Sequence, residues 1–318
     1  MTRPDPVLAA PTAAGSPPER LLAPSLSPYF WMLCGSLAFS TMAALAHGLA
    51  DRCHWELVAT IRAGLAFVFA TALTLRAGAP FAILRPRILW VRSFAGTVSL
   101  LCTFYALSNL PISDVLTLTN MFPIWVALLS WPLAGERPTR DAWLAIAVGL
   151  VGVLLVAQPH FAESRPLPAL IALLASFSTS IAMLGLHRLK AVDPRAIVAH
   201  FSGVSFVACL VVLVLDPADS WGTSNLAAST LLMLGGVGIC ATVGQLFLTK
   251  AFAAGPPARV SVVALTQVGF AMLFDVLIWG HAFGPMSMVG IVLVMTPTAW
   301  LLVTQRRPVD LSLEPPAS

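Results

Sequence analysis

The sequence predicts an all-α integral membrane protein with ten transmembrane helices in a 5+5 inverted-repeat arrangement, and three observations predict it. Of the 318 residues, 58% are hydrophobic and only 10% are charged, whereas a soluble chain carries about 25% charged residues. The apolar residues form ten segments, most of them near the roughly 20 residues that cross the hydrocarbon core. The two halves of the chain also match each other in register. A soluble enzyme is therefore excluded.

The apolar segments leave little chain outside the membrane. They lie at about 28–50, 55–75, 87–109, 111–133, 139–157, 166–187, 195–215, 226–253, 256–281 and 285–304. Residues 1–27, rich in proline, alanine and serine, are predicted to form a disordered cytoplasmic tail, and residues 305–318 a cytoplasmic C-terminal tail. No connecting loop is long enough for an ATP-hydrolysing domain, and no GxxxxGK[ST] loop occurs. Any transport would therefore be driven by a gradient.

The basic residues predict the orientation in the membrane. Of the 18 lysines and arginines, fifteen, Arg92 among them, are assigned to the side that carries both termini, while Arg52 and Arg165 lie opposite and Arg62 lies within a segment. This bias predicts a multi-pass protein of the cytoplasmic (inner) membrane with both termini in the cytoplasm. The net charge of +4 is thereby explained by orientation, and no nucleic-acid partner is expected.

An internal repeat divides the chain. Residues 28–157 and 166–304 are predicted to form two five-helix repeats, joined by a periplasmic linker at 158–165. Shifts of 139 and 145 residues bring identical residues into register, as in the pairs Gly64–Gly203, Phe67–Phe206 and Pro111–Pro256. Because five is odd, the repeats must have opposite orientations. Inverted repeats place a binding site at their interface near the midplane and favour alternating access.

Three short stretches carry a family resemblance. They are FYALSNLP at 104–111, MFPIW at 121–125 and AGERP at 134–138. Together they resemble the EamA type of the drug/metabolite transporter superfamily over nearly all of residues 28–304. The resemblance implies a ten-helix membrane protein that usually exports small organic molecules. The second half departs from this pattern, with His281 and Val268 where the first half has Glu136 and Pro123.

Arg62 is the first candidate for a substrate-binding residue. It lies seven residues past Trp55, or about 10 Å into the membrane at the helical rise, where the family often has an arginine. A guanidinium could hold a substrate carboxylate or phosphate. Alternatively, Arg62 locks helices through an ion pair or snorkels to the interface. Asp275 is the best candidate for the ion-pair partner, because the predicted topology places it in the same half of the membrane as Arg62. The hypothesis is that this ion pair gates or couples transport by opening when substrate or protons arrive.

Uncharged polar residues near the midplane are further candidates for substrate binding. Thr119 and Asn120 precede Pro123 in the fourth segment, and Gln267 lies at the equivalent depth of the ninth. Proline removes a backbone donor and kinks a helix, so a kink is expected there. The alternative role of these side chains is hydrogen bonding between helices.

The eighth and seventh segments supply the remaining candidates. Gln245 and Lys250 end a segment whose glycines allow close helix approach or leave room for substrate. Lys250 aligns with Tyr105 of the first half, which suggests an asymmetric site. Lys250 is a coupling candidate, while Gln245 and Tyr105 are binding candidates. His200 suits proton relay by its titration range, although a lone histidine in a membrane is more often simply hydrogen-bonded.

These observations predict a secondary transporter that exports a small organic metabolite, such as an amino acid or a related compound. A flippase of a lipid-linked substrate with the same fold is the alternative, followed by an intramembrane enzyme, for which the sequence lacks HExxH and a nucleophile–base pair. The expected partners are the substrate and the lipid bilayer, and a homodimer is left open. Five cysteines without a CxxC pair argue against zinc, and no cofactor or metal is expected.

Overall fold

The computed structural model describes residues 27–49, 51–81, 85–110, 112–158, 166–215, 227–280, 282 and 284–304. Within these ranges the chain forms helices and turns and contains no strand. The predicted tails at 1–27 and 305–318, apart from Ser27, lie outside the described residues. So do most of the predicted linker at 158–165, Pro111 and His281.

Twelve helices and one π-helical turn make up the described chain. The helices are α1 (Ser27–His47), α2 (Trp55–Arg76), α3 (Arg87–Asn109), α4 (Ile112–Thr119), α5 (Phe122–Leu129), α6 (Arg140–Ala157), α7 (Pro166–Arg188), α8 (Pro194–Leu215), α9 (Ala228–Ala254), α10 (Pro257–Ala264), α11 (Thr266–Trp279) and α12 (Pro285–Thr304), with the π-helical turn at Ser130–Ala134. The pairs α4–α5 and α10–α11 each form one span, so that ten spans are long and apolar enough to cross a membrane. The predicted all-α membrane fold is confirmed.

The outer surface of this bundle is apolar, as lipid requires. Leu232, Leu215 and Val214 are 79%, 75% and 69% exposed on α9 and α8. In water such a surface would be unfavourable, because contiguous exposed apolar area promotes association. These side chains are therefore suited to contact with lipid tails.

The fourth span is interrupted near its middle, where a kink was expected. Helix α4 ends at Thr119, and α5 begins at Phe122 with Pro123 in its first turn. Pro123 has no N–H to donate to the preceding turn, and its ring excludes a continuous helix. The predicted kink at this proline is thus a full break.

The ninth span is interrupted at the corresponding place without a proline. The break is centred on Leu265, whose N–H donates to the carbonyl of Val262 at 3.1 Å, while the N–H of Val268 donates to the carbonyl of Leu265 at 3.0 Å. Helix α1 supports the break, since the Ser40 hydroxyl donates to the carbonyl of Gln267 at 2.8 Å. The sequence did not indicate this break, because Val268 stands where the first half has Pro123.

The two halves of the chain interlock through glycine–phenylalanine contacts at the crossing of α2 and α8. A Cβ atom added to Gly64 would lie 3.0 Å from the Phe206 ring, and one added to Gly203 would lie 3.1 Å from the Phe67 ring. The same contact is therefore made twice with the halves exchanged. This reciprocity supports the predicted repeat.

A second reciprocal contact joins α6 to α12. Added Cβ atoms would lie 2.8 Å from a backbone oxygen in both directions, from Gly152 to the oxygen of Gly290 and from Gly290 to that of Gly152. Helix α1 likewise packs on α9, and α3 on α7. Small residues allow such close approach of helices in a membrane. Each of these pairings joins one helix from each half.

Candidate functional site

A narrow cavity lies between α2, α3, α8 and α9, two helices from each half. Its lining comprises Arg62, Ala63, Ala66, Leu100, Phe201, Ser202, Ser205, Ala241 and Gln245. Its free volume is about 10 Å³, which is room for about one water molecule. A metabolite could enter only if the helices separate.

The lining combines equivalent positions of the predicted repeats. Helix α2 supplies Arg62 and Ala66, and α8 supplies Phe201 and Ser205, each 139 residues later in the chain. Leu100 of α3 likewise faces the cavity with Gln245 of α9, 145 residues later. The positions match, but their chemistry does not, since arginine is opposed by phenylalanine, alanine by serine and leucine by glutamine. The cavity is therefore symmetric in position and asymmetric in polarity.

Arg62 borders this cavity, as the prediction of a binding residue requires. Its side chain is half-buried, and its Nε donates to Sδ of Met42 on α1 at 3.2 Å. No ion pair joins Arg62 to Asp275 within the described part of the chain, and Asp275 lies half-buried on α11. The structure thus brings Arg62 to the cavity but does not bring it to its predicted partner.

Arg92 is the main residue that sequence reasoning missed. It was counted among the cytoplasmic orientation residues, yet its side chain is only 1% exposed. Its Nη2 donates to Oε1 of Gln245 at 3.1 Å, and its guanidinium carbon lies 4.0 Å from the centre of the Phe201 ring. The cavity-lining residues Gln245 and Phe201 therefore separate a buried cation from the cavity.

Glycines make the space that Arg92 occupies. A Cβ atom on Gly96 would lie 2.6 Å from Nη1 of Arg92, and one on Gly185 would lie 3.1 Å from its Cβ. Gly96 follows one helical turn after Arg92, on the same face of α3. The sequence did contain one signal of this burial. Arg92 lies five residues inside an apolar segment, and Gly96 follows it by one helical turn.

Hydroxyl and imidazole groups join α3 to α8 beside the cavity. His200 Nδ1 lies 2.8 Å from Oγ of Ser93, and its ring meets Trp90 edge-on with 4.6 Å between centroids. One turn further along, Oγ1 of Thr97 lies 2.8 Å from Oγ of Ser205. His200 is thus hydrogen-bonded, which agrees with the alternative that its role is structural. Its role in proton relay stays a prediction.

The polar residues at the helix breaks lie apart from the cavity. Oγ1 of Thr119 donates to the Val115 carbonyl at 2.7 Å, and Nδ2 of Asn120 donates to the Leu116 carbonyl at 2.8 Å. Both bonds are local and reach back one turn into α4. Gln267, on α11, is half-buried and is not among the lining residues. The binding roles of these three residues stay predictions.

Tyr105 and Lys250, which align between the two halves, are not among the residues that line the cavity either. Both side chains are exposed. Nζ of Lys250 lies 5.9 Å from the centre of the Trp31 ring, within the range of a cation–π contact. The binding role of Tyr105 and the coupling role of Lys250 stay predictions.

A second and larger cavity opens at the end of the bundle predicted to face the cytoplasm. Its volume is about 390 Å³, and Glu136, Arg137 and Arg259 supply its charged groups. Oε1 of Glu136 also lies 3.0 Å from Nε2 of His187, which is buried. This contact ties Glu136 to α7. In the described residues, no group of three or more His, Cys, Asp or Glu side chains could hold a metal ion.

Comparison with known proteins agrees with this architecture. The model of the EamA-like transporter family matches residues 26–158 and again 166–303. A protein of known crystal structure superposes with a TM-score of 0.76 at 19% identity, covering 88% of this chain and 98% of its own, which shows the fold alone. Two copies of one family model thus cover nearly all of the described helices.

Several named transporters are similar over most of their length. The pseudopaline exporter CntI of Pseudomonas aeruginosa (strain UCBPP-PA14) is 26% identical over 272 residues, which is 85% of this chain and 94% of that protein. The riboflavin transporter of Rhizobium johnstonii is 24% identical, with coverage of 87% and 91%. With ten spans, two matches to one family model and these relatives, the chain is a membrane transporter that belongs to the EamA-like transporter family.

Proposed function

We propose that this transporter is a gradient-driven exporter of a small organic metabolite, such as an amino acid or a related compound, in the cytoplasmic membrane. The observation that carries the proposal is the narrow cavity, lined by Arg62, Ser202, Ser205 and Gln245 from both halves of the chain. A cavity this small cannot admit a metabolite without movement of the helices. Alternating access, in which one half rocks against the other around a central site, supplies that movement.

The breaks in the fourth and ninth spans supply the flexibility that this mechanism needs. Each break replaces regular helix bonds near mid-membrane, and α5 packs on α10, so the two broken spans contact each other. Hinge residues at element ends absorb large changes in backbone dihedrals. The tight α6–α12 crossing, by contrast, brings backbone against backbone at Gly152 and Gly290. We infer that opening bends the broken spans and leaves this crossing intact.

Two relatives support an organic substrate, and one of them supports the direction of transport. One is an exporter of pseudopaline and another transports riboflavin, so similar chains carry organic molecules of different structure. No connecting segment among the described residues is large enough for a nucleotide-hydrolysing domain, which favours a gradient as the driving force.

Reconstitution of the full chain into liposomes tests the proposal. Uptake of amino acids, nucleobases, organic acids and amphiphilic cations would be measured with and without an imposed pH gradient. We expect flux of at least one compound above that of empty liposomes, and loss of that flux in Ser205→Trp, which fills the cavity. Val207→Trp is the matched control, because Val207 lies on the same helix and is 61% exposed to the surroundings. Absence of flux for every compound, together with scrambling of a labelled lipid, would favour the flippase.

A further inference from the structure

The Arg92 side chain is a buried cation with too few partners. Nε and Nη1 are buried and have no hydrogen-bond partner in the described part of the chain. Nη2 alone is engaged, with the neutral amide oxygen of Gln245 at 3.1 Å. Arginine stays protonated in proteins and offers five N–H donors. Most of this donor capacity is therefore unused in this structure.

A guanidinium buried in this way is unfavourable unless a further partner binds it during part of the transport cycle. A buried charge without a counter-charge costs several kcal/mol, even after relaxation of its surroundings. The contact of the guanidinium with Phe201, at 4.0 Å, offsets part of this cost through the ring quadrupole. If this position had only a structural role, a neutral or apolar side chain would stabilise the fold more than a buried cation does. A buried cation at this position therefore points to an anionic ligand.

Gln245 is positioned to exchange with that ligand. It lines the cavity and at the same time accepts a bond from Arg92. A carboxylate that enters the cavity and displaces the Gln245 amide oxygen could accept from Nη1 and Nη2 together, in the paired geometry that arginine favours. The neutral amide acts as a temporary acceptor, and a carboxylate competes with it because a charged acceptor bonds more strongly.

A second arginine, Arg62, lines the cavity itself and belongs to a helix that runs in the opposite direction to α3. Arg62 lies about 10 Å from the start of α2, and Arg92 about 8 Å from the start of α3, which is at the other face. If α2 and α3 begin at opposite edges of a hydrocarbon core about 30 Å thick, the two backbone positions differ in depth by roughly 12 Å. An anion moving through the cavity would pass from one cation to the other.

We propose that the transported metabolite carries a carboxylate and that Arg92 binds it when the Gln245 amide is displaced. This inference rests on the proposed function, because it assigns a substrate class to the same cavity. It makes Arg92 a binding residue, and it makes Gln245 a placeholder that satisfies one guanidinium nitrogen while the site is empty.

Matched carboxylates and amides test the inference on the purified full chain. The probes are radiolabelled succinate, benzoate and N-acetylglycine, each compared with its amide, which removes the charge and keeps the skeleton. Binding in detergent and flux in proteoliposomes are measured for the same preparations. We expect at least one carboxylate to be bound and carried by the unmodified chain, with its amide bound about 30-fold or more weakly.

Two substitutions separate binding from folding. Arg92→Gln should weaken carboxylate binding about 30-fold or more. Gln245→Glu supplies an internal carboxylate to Arg92, so it should raise the apparent Tm while abolishing carboxylate binding. A structural role for Arg92 would predict the gain in Tm without the loss of binding. Gln245→Glu also keeps the test valid if Arg92→Gln does not fold. The control Arg76→Gln changes an exposed arginine at the end of α2 and should alter neither quantity.

The outcomes distinguish the inference from the function on which it rests. Carboxylate binding that persists in Arg92→Gln, or in Gln245→Glu, overturns the inference. Flux of an uncharged compound without binding of any carboxylate also overturns it, while the transporter proposal stands. Conversely, carboxylate binding that depends on Arg92 but gives no flux supports the assigned ligand and contradicts the proposed transport.

Discussion

The helix crossings and the central cavity both join the two halves, but they do so in different ways. At the α2–α8 crossing each half presents a glycine to a phenylalanine of the other, Gly64 to Phe206 and Gly203 to Phe67. At the cavity, equivalent positions of the same two helices present Arg62 and Phe201. The α2–α8 crossing thus contains the same glycine–phenylalanine contact twice, once from each half. In the cavity, by contrast, a polar residue of one half has no equivalent polar residue in the other half.

This difference separates the residues that build the bundle from those that select its substrate. Close packing in a membrane needs small residues opposite bulky ones, and a repeated sequence supplies both surfaces at once. A binding site for an asymmetric molecule needs different groups on its two sides. Substitutions at the crossings should therefore reduce stability without changing selectivity, and substitutions in the cavity should do the reverse.

The α6–α12 crossing should show the largest effect. In Gly152→Ala the new methyl group would lie 2.7 Å from the Val294 backbone nitrogen, and backbone cannot yield as a side chain can. We expect a loss of about 2 to 3 kcal/mol in stability, measured by unfolding of the purified protein in detergent, and a similar loss for Gly290→Ala. Gly235→Ala is the control, because that glycine has no neighbour within 4 Å of the added methyl. Equal stability of all three variants would contradict the assignment of this contact.

The next effect tests the cavity side of the comparison. Arg62→Ala removes a cation that lines the cavity, and we expect transport to fall about tenfold, or about 1.4 kcal/mol. Its hydrogen bond to Met42 is the only described bond lost, so the apparent Tm should change little. Transport is measured as initial flux into proteoliposomes, with Arg52→Ala as the control, since Arg52 is exposed beyond the end of α1. A fall in Tm with unchanged flux would assign Arg62 to the scaffold instead.

The α2–α8 crossing should show a smaller and matched effect. In Gly64→Ala and Gly203→Ala the added methyl meets the edge of a phenylalanine ring, at 3.0 and 3.1 Å. A ring can rotate or shift, so we expect each variant to lose about 1 kcal/mol. The relevant comparison is between the two unfolding free energies. If the two unfolding free energies differ by more than the expected loss of about 1 kcal/mol, the two contacts are not equivalent and the inferred reciprocity is wrong.

The smallest effect concerns the break in the fourth span. Asn120→Leu removes a local bond that the side chain makes to the Leu116 carbonyl, one turn earlier in the chain. Because a hydrogen bond in a membrane contributes about 0.6 kcal/mol on average, we expect stability to change by no more than that and flux to stay the same. Thr119→Val should behave alike, since its bond to Val115 is also local. A large loss of flux in either variant would restore these residues to the binding site.

Some of the site could be read from the sequence, and the reason is geometric. Arg62 was identified because it lies seven residues inside an apolar segment, where a charge needs a partner or a cavity. Gln245 was identified as a polar group near the end of a glycine-rich helix. Arg92 was missed because it lies near a segment end, where basic residues ordinarily reach the cytoplasmic surface. Its burial depends on Gly96 and Gly185, and the second of these is on another helix.

The sequence by itself determined that the chain folds in a lipid bilayer, that it has ten spans, and that its two halves match each other. These properties follow from local composition and from spacing along the chain, which need no knowledge of neighbouring helices. Only the tertiary structure decided which polar groups meet. It placed Arg92 against Gln245 and Phe201, left Arg62 beside Met42, and broke the ninth span without a proline. Contacts between helices depend on rotation and depth, which a single sequence does not specify.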